Sequence, residues 1–203
     1  MVTIIDYGMG NLGSVKNMFK RIGVPSEITG DPDIIAKANR LLLPGVGAFD
    51  AAMKKIEESG LRSILDKKVL EEKVLTLGIC LGMQLLTDCS EEGVLAGLGW
   101  IPAKTIKFKF PDNAKLKIPH MGWNRVFEKR QSPLIKDLPE EPRFYFVHSY
   151  YVQTDNENDV ITTTQYGTDF HSIIQKDNVY GAQFHPEKSH KYGMKLLENF
   201  AKL

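Results

Sequence analysis

The residues best suited to chemistry lie in Val74-Leu75-Thr76-Leu77-Gly78-Ile79-Cys80-Leu81-Gly82-Met83-Gln84-Leu85-Leu86. An apolar strand runs into Gly-x-Cys-x-Gly and then a helical pattern, a nucleophile elbow with sulfur in place of oxygen. Glycines at 78 and 82 leave room for the sharp turn, and the helix N-terminus behind it favours a thiolate at Cys80. A free cysteine is usually a small buried hydrophobe, but the flanking glycines argue against that here. A thiolate nucleophile needs a base, and the base needs an orienting group. Of the five histidines (His120, His148, His171, His185 and His190), His185 stands out because Pro186-Glu187 follows it at the end of the apolar run Val179 to Phe184. Pro186 biases His185 towards an extended conformation. In an extended chain Glu187 points to the same side as His185 and can reach its imidazole. Acyl transfer also needs donors for an oxyanion. The N–H of Leu81 is one candidate, and the turn Pro44-Gly45-Val46-Gly47 after the strand Leu41-Leu42-Leu43 can supply another. Taken alone, that turn reads as a plain strand-to-helix connection, and His185-Pro186 as a surface turn.

These pieces need a scaffold that brings them to one edge. Val2 to Ile5, Ser26 to Thr29, Arg40 to Leu43 and Lys73 to Ile79 read as strands. Between them Leu12, Val15, Phe19 and Ile22, then Phe49, Met53 and Ile56, and Leu61, Ile64 and Leu65, recur at helical spacing. Alternation of this kind predicts a mostly parallel central sheet with flanking helices, whose ligand site lies at the strands' carboxyl ends. After about residue 93 the texture changes. Leu98 to Phe110, Lys117 to Phe127, Arg143 to Val152, Val160 to Thr164, Phe170 to Gln175 and Val179 to His185 read as strands of an antiparallel extension. A last helix carrying Met194, Leu197 and Phe200 closes the chain. With no repeat and no linker, residues 1–203 are expected to form a single domain.

The 203 residues are 42% hydrophobic and 25% charged, with 26 basic against 25 acidic side chains for a net charge of +1. So even a balance provides no field to hold nucleic acid or an anionic membrane. Cys80 and Cys89 make no CxxC and no zinc spacing, so no metal is expected. Two thiols imply a reduced, cytoplasmic protein, and Val2-Thr3-Ile4-Ile5 before Asp6 is too short for a signal peptide. Cys89 lacks the elbow's context and reads as structural. Gly8-Met9-Gly10-Asn11-Leu12-Gly13 matches the dinucleotide fingerprint. However, Asp6 stands where a pyrophosphate would sit and no acidic partner follows at the expected distance, so a tight turn is the better reading and no cofactor is expected.

Together these segments resemble the class I, triad-type glutamine amidotransferases across essentially the whole chain, and within them the glutaminase subunits of imidazole glycerol phosphate synthase. The residues that carry the likeness are Ile5 to Leu12, Leu43 to Phe49, Gly78 to Leu86, Pro119 to Asn124, Tyr145 to Tyr150 and Gln183 to Ser189. Val46 is a mark of this subfamily, since generic members carry Pro-Gly-Gly there. The resemblance implies a flavodoxin-like α/β fold and a triad of Cys80, His185 and Glu187 that hydrolyses L-glutamine to glutamate and ammonia. It further implies oxyanion donors at Val46 and Leu81, and glutamine bound by Gly47, Gln84 and the Ser149-Tyr150 backbone. Ammonia would pass to a (β/α)8-barrel synthase subunit in a heterodimer, with Gly10, Asn11 and Trp123 toward that interface. The glycines around Val46 would let one peptide flip, so partner binding could gate the reaction. Two features depart from the common pattern: Trp100 in Gly97-Leu98-Gly99-Trp100, and five lysines between Lys104 and Lys117. These resemble a paralogous branch that feeds ammonia to an amidotransferase making acetamidino sugars. The lysines alone read as a charge-guarded edge strand, with a docking face as the alternative. A cysteine-elbow protein of another kind would place its histidine close after the cysteine, whereas His185 lies far downstream.

Overall fold

The computed structural model describes residues 1–111 and 113–203. Its frame is an eleven-stranded sheet. The parallel half comprises β1 (Val2–Ile5), β2 (Ser26–Thr29), β3 (Arg40–Gly45), β4 (Leu75–Cys80) and β13 (Val179–Ala182), in the order β2-β1-β3-β4-β13. The antiparallel half continues through β12 (Thr168–Lys176), β10 (Tyr150–Thr154) and β6 (Ala103–Lys107) to the two-residue β5 (Cys89–Ser90), which runs parallel to β6. β11 (Val160–Tyr166) pairs with β12 and with β8 (Phe127–Glu128). β7 (His120–Arg125) and β9 (Arg143–His148) form a separate antiparallel pair.

Successive residues of the central strands enter opposite cores. Leu41 and Leu43 pack with Phe49, Met53 and Ile56 of α3 (Phe49–Glu58) and with Leu61 and Leu65 of α4 (Leu61–Asp66). Leu42, Leu77 and Ile79 pack with Val15 and Phe19 of α1 (Leu12–Arg21) and with Leu196, Leu197 and Phe200 of α6 (His190–Lys202). A sheet covered on both faces is why these strands are near-continuous apolar runs. The short helix α2 (Pro32–Ile35) starts with Pro32 in its first turn, and the Asp31 side chain accepts from Asp33 N–H at 2.8 Å. The elbow helix α5 (Leu81–Leu85) follows β4 directly.

The antiparallel half differs from the sequence expectation in ways that bear on the site. Arg143 to Val152 is not one strand. It breaks at Ser149, and β9 and β10 lie in different sheets. Lys117 to Phe127 likewise divides, because β7 pairs with β9 while Phe127 pairs with β11. Leu98 to Phe110 contracts to Ala103–Lys107, since Leu98, Trp100 and Ile101 spend their N–H groups on Leu85 and Leu86 carbonyls at the end of α5. Lysine-bearing β6 is not an edge strand, having β10 on one side and β5 on the other. Trp100 is buried and donates its indole N–H to Asp66 at 2.7 Å. Its presence answers a local packing need. Cys89, expected to be structural, is exposed. Among the described residues no helix is long and apolar enough to cross a membrane.

Candidate active site

Cys80 ends β4 and caps α5 with φ 55° and ψ −111°, a left-sided backbone that side chains rarely adopt. The turn closes only because its neighbours lack side chains. A Cβ on Gly82 would stand 1.8 Å from the Leu43 carbonyl oxygen, and one on Gly78 would stand 2.6 Å from the Gly82 oxygen. The same contact sets the Pro44–Gly47 turn against the elbow. Tyr7, from the strand-to-helix loop after β1, donates its hydroxyl to Pro44 O at 2.8 Å and lies against the Gly45 backbone. Burial and the nearby Cys80 push the Tyr7 hydroxyl pKa up, so it remains a donor. The glycine-rich loop after β1 therefore serves this packing, and the Asp6 carboxylate already accepts from Gly8 N–H at 2.9 Å where an anion would have sat.

His185 and Glu187 meet as expected, by a different local geometry. His185 is extended (φ −100°, ψ 95°), but Pro186–Lys188 is a 3-10 turn rather than extended chain. The proline at its first position and the bonds to β9 set this geometry. His185 N–H donates to Tyr145 O at 2.9 Å, and the Ser189 hydroxyl accepts from Tyr145 N–H and donates to His185 O. The turn brings Glu187 Oε1 2.8 Å from His185 Nδ1, so Nε2 is left for Cys80. Burial alone would push the imidazole down, but hydrogen bonds to Cys80 and Glu187, with the charges of both, raise its pKa to about 10. The second Glu187 oxygen is buried with no protein partner among the described residues. A thiol, an imidazole and a carboxylate in this sequence of contacts can form a thiolate, pass a proton and hold the ring throughout.

The triad opens into a cleft of about 360 Å³ lined by Val46, Gly47, Cys80, Leu81, Gln84, Ser149, Tyr150 and His185. The residues expected from the sequence to act on glutamine thus line one cleft, except Glu187, which stands behind His185. Val46 stands exposed on its rim, and Gly47 takes φ 109°. Gln84 is buried and spends its amide N–H groups on Tyr150 O (3.0 Å) and Gln183 Oε1 (3.2 Å). Gln183 in turn points its amide nitrogen at Cys80 Sγ, 3.9 Å away. Gly10, Asn11 and Trp123 lie outside the cleft: Gly10 approaches Pro44, Asn11 is exposed, and Trp123 stacks on His190 with ring centroids 5.6 Å apart.

Sequence reading missed Glu92, Lys188, Gln183 and His148. Glu92 lines the cleft and accepts from Phe49 N–H at 2.9 Å, at the start of α3. It sits in an acidic loop, Glu91-Glu92, with no spacing that marks it, and only the contact with Phe49 reveals its place. Among the described residues no cluster of His, Cys, Asp or Glu could hold a metal.

Residues 3–203 match the family model for glutamine amidotransferase class-I. The chain belongs to that family. It is 58% identical over 202 residues to imidazole glycerol phosphate synthase subunit HisH 2 of Methanococcus maripaludis, covering 100% of this chain and 99% of that one. Identity is 45% to subunit HisH 2 of Pseudomonas aeruginosa, both chains covered fully. It is 49% to subunit HisH of Sulfurimonas denitrificans, covering 100% and 98%. Among solved structures, a glutamine amidotransferase superposes with TM-score 0.72 at 19% identity over 100% of both chains. PurLQS of Thermotoga maritima gives 0.71 at 17% identity over 99% and 97%. At these identities the structural likeness speaks for the class I amidotransferase fold, which the mostly parallel sheet with its antiparallel extension shares.

Proposed function

We propose that this chain, a single amidotransferase domain of the cytoplasm, is the glutaminase subunit of an imidazole glycerol phosphate synthase in histidine biosynthesis. The observation that carries the reading is the line of contacts from Glu187 through His185 to a strained Cys80 at the floor of an amino-acid-sized cleft. In the reaction, Cys80 Sγ attacks the side-chain amide carbon of L-glutamine. Val46 and Leu81 N–H groups receive the oxyanion, His185 hands its proton to the leaving ammonia, and a thioester remains. Water, deprotonated by His185, hydrolyses the thioester to glutamate and restores the thiol. Glu187 holds the ring tautomer throughout. Gly47, Gln84, Ser149 and Tyr150 bind the substrate. With its amide N–H groups occupied, Gln84 offers its carbonyl oxygen, while the carboxylate of Glu92 suits the substrate ammonium.

The relatives' names support a partner, a synthase subunit that takes the ammonia, with Gly10, Asn11 and Trp123 facing it. The alternative partner, an amidotransferase making acetamidino sugars, is the reading that Trp100 and the five lysines between Lys104 and Lys117 favour. The test is synthesis by the chain with that partner. Cys80→Ala is expected to abolish synthesis from glutamine and to leave synthesis from ammonium salt intact. Loss of both, or activity surviving in Cys80→Ala but not Cys89→Ala, would overturn the assignment.

A further inference from the structure

Beside the cleft are two buried histidines that the reaction above does not use. His120 and His148 face each other across the β7–β9 ladder, with His120 Nδ1 3.0 Å from His148 Nε2. On one side, His148 Nδ1 is 2.7 Å from Tyr150 O. On the other, Asn124 Nδ2 is 3.3 Å from His120 Nε2 and also donates to Gln165 O at 2.9 Å. A carbonyl oxygen can only accept, so His148 carries its proton on Nδ1 and its Nε2 must accept. His120 therefore carries its proton on Nδ1, and its Nε2 accepts from Asn124. The proton positions along the row follow from the two ends.

We propose that His120 and His148 are positioning residues for the glutamine subsite, a tautomer-fixed row that holds the Tyr150 carbonyl and so aims the Ser149–Tyr150 backbone into the cleft. The proposal rests on the glutaminase reading given above. Its physical basis is the break in the chain at Ser149. There the backbone leaves the β7–β9 pair for the main sheet, and three bonds hold the crossing. Ser149 O accepts from Phe108 N–H at 3.1 Å, and Tyr150 O accepts from both Gln84 Nε2 and His148 Nδ1. Removing the histidine bond leaves Tyr150 O tied only to a side chain that itself faces substrate.

The rings are held too. His120 stacks on Tyr166 (centroids 4.0 Å) and on Phe146 (4.9 Å), while His148 packs on Phe170 (5.1 Å) and Phe108 (5.3 Å). Burial in this aromatic shell lowers His120 to about 4. It lowers His148 to about 3, helped by His120 and His185 and opposed by the Tyr150 carbonyl. Both rings are thus neutral near pH 7, the state the row requires.

Three measurements on the chain assembled with its synthase partner decide the matter. In His120→Leu the KM for glutamine should rise about threefold to tenfold, the size of one net hydrogen bond, with kcat changed less. The rate at which iodoacetamide alkylates Cys80, which makes no use of the subsite, should hold. His120→Asn keeps a donor near the Nδ1 position and should recover most of the KM. A general loss of packing would move KM, kcat and alkylation together and would not distinguish Asn from Leu. Independently of activity and of any variant's folding, imidazole 1H–15N spectra of the unmodified protein should show both rings as Nδ1–H tautomers. An Nε2–H tautomer at either ring, or an unchanged KM in folded His120→Leu, overturns the proposal. If the unmodified complex released no ammonia from glutamine, the glutaminase reading itself would fall, while the spectra would still report on the row.

Discussion

The strain at Cys80 makes a prediction that does not depend on activity. Compare Cys80→Ala with Cys80→Gly, which differ only by a methyl group. At 80 the change to glycine removes a buried methyl, about 0.8 kcal/mol, and frees the unfolded chain, about 0.4–1 kcal/mol. Against this it relieves a backbone at φ 55°, ψ −111°, where a side chain costs about 1–3 kcal/mol. Cys80→Gly should therefore lie between about 0.8 kcal/mol less and about 1.8 kcal/mol more stable than Cys80→Ala. The control is Ala52→Gly in the Cys80→Ala background. Ala52 is fully buried inside α3, and the same change there loses about 1 kcal/mol of helix propensity and about 0.8 kcal/mol of burial. The two sites should differ by about 2 kcal/mol, or about 4–8 °C in Tm for a chain of this length. Urea and thermal unfolding of the three variants read this directly. If alanine-to-glycine at 80 destabilised as much as at 52, Cys80 would not be strained and the elbow argument would fail.

Three further outcomes follow from the site. Glu187→Gln should retain more kcat/KM than His185→Ala, because an orienting group contributes less than the base it orients; full activity in both would refute the triad. The His185 ring, with its pKa raised to about 10, should remain protonated past pH 8 by NMR, and Cys80→Ala should bring that titration down by removing the partner and leaving the burial. A raised pKa contributes stability that is complete below about 6.5 and lost as pH rises through about 10, so Cys80→Ala should flatten the alkaline decline. His120 and His148, lowered to about 4 and about 3, act in the opposite sense: the unfolded chain binds more protons, so stability should fall as pH drops from 6.5 to 5, less steeply in His120→Leu.

What could be read from sequence was what sits within a few residues. The elbow is legible because its glycines, its thiol and its strand are contiguous, and His185-Pro186-Glu187 because base and orienter are two residues apart. Even there the two side chains meet but not by the extended path expected, since bonds between Tyr145 and Ser189, 44 residues apart in the chain, bend the segment into a 3-10 turn. The break at Ser149 was hidden because Arg143 to Val152 is uniformly strand-like in composition. Only the competition between β7 and β6 for its two halves divides it. Glu92 and the pair His120–His148 carry no local pattern at all, and become recognisable only when separate strands and loops are brought together.

The site is therefore less a set of side chains placed on a sheet than a packing solution in which each turn shapes the next. Gly82 must be bare because Leu43 O occupies the space beside it, and that approach brings Gly45 and Val46 up to the thiol. Tyr7 then ties Pro44 from the other side. The donor pair proposed for an oxyanion would in this sense be made by backbone contact between two strand ends, without a side chain assigned to the task. The substrate wall is built the same way. Gln84 leaves the elbow helix to meet Tyr150 O where the chain changes sheets, and His148 meets the same oxygen from the other sheet. The nucleophile's elbow, the proposed oxyanion turn and the proposed binding wall are joined by direct contacts, so a change in any one of the three should be felt in the other two.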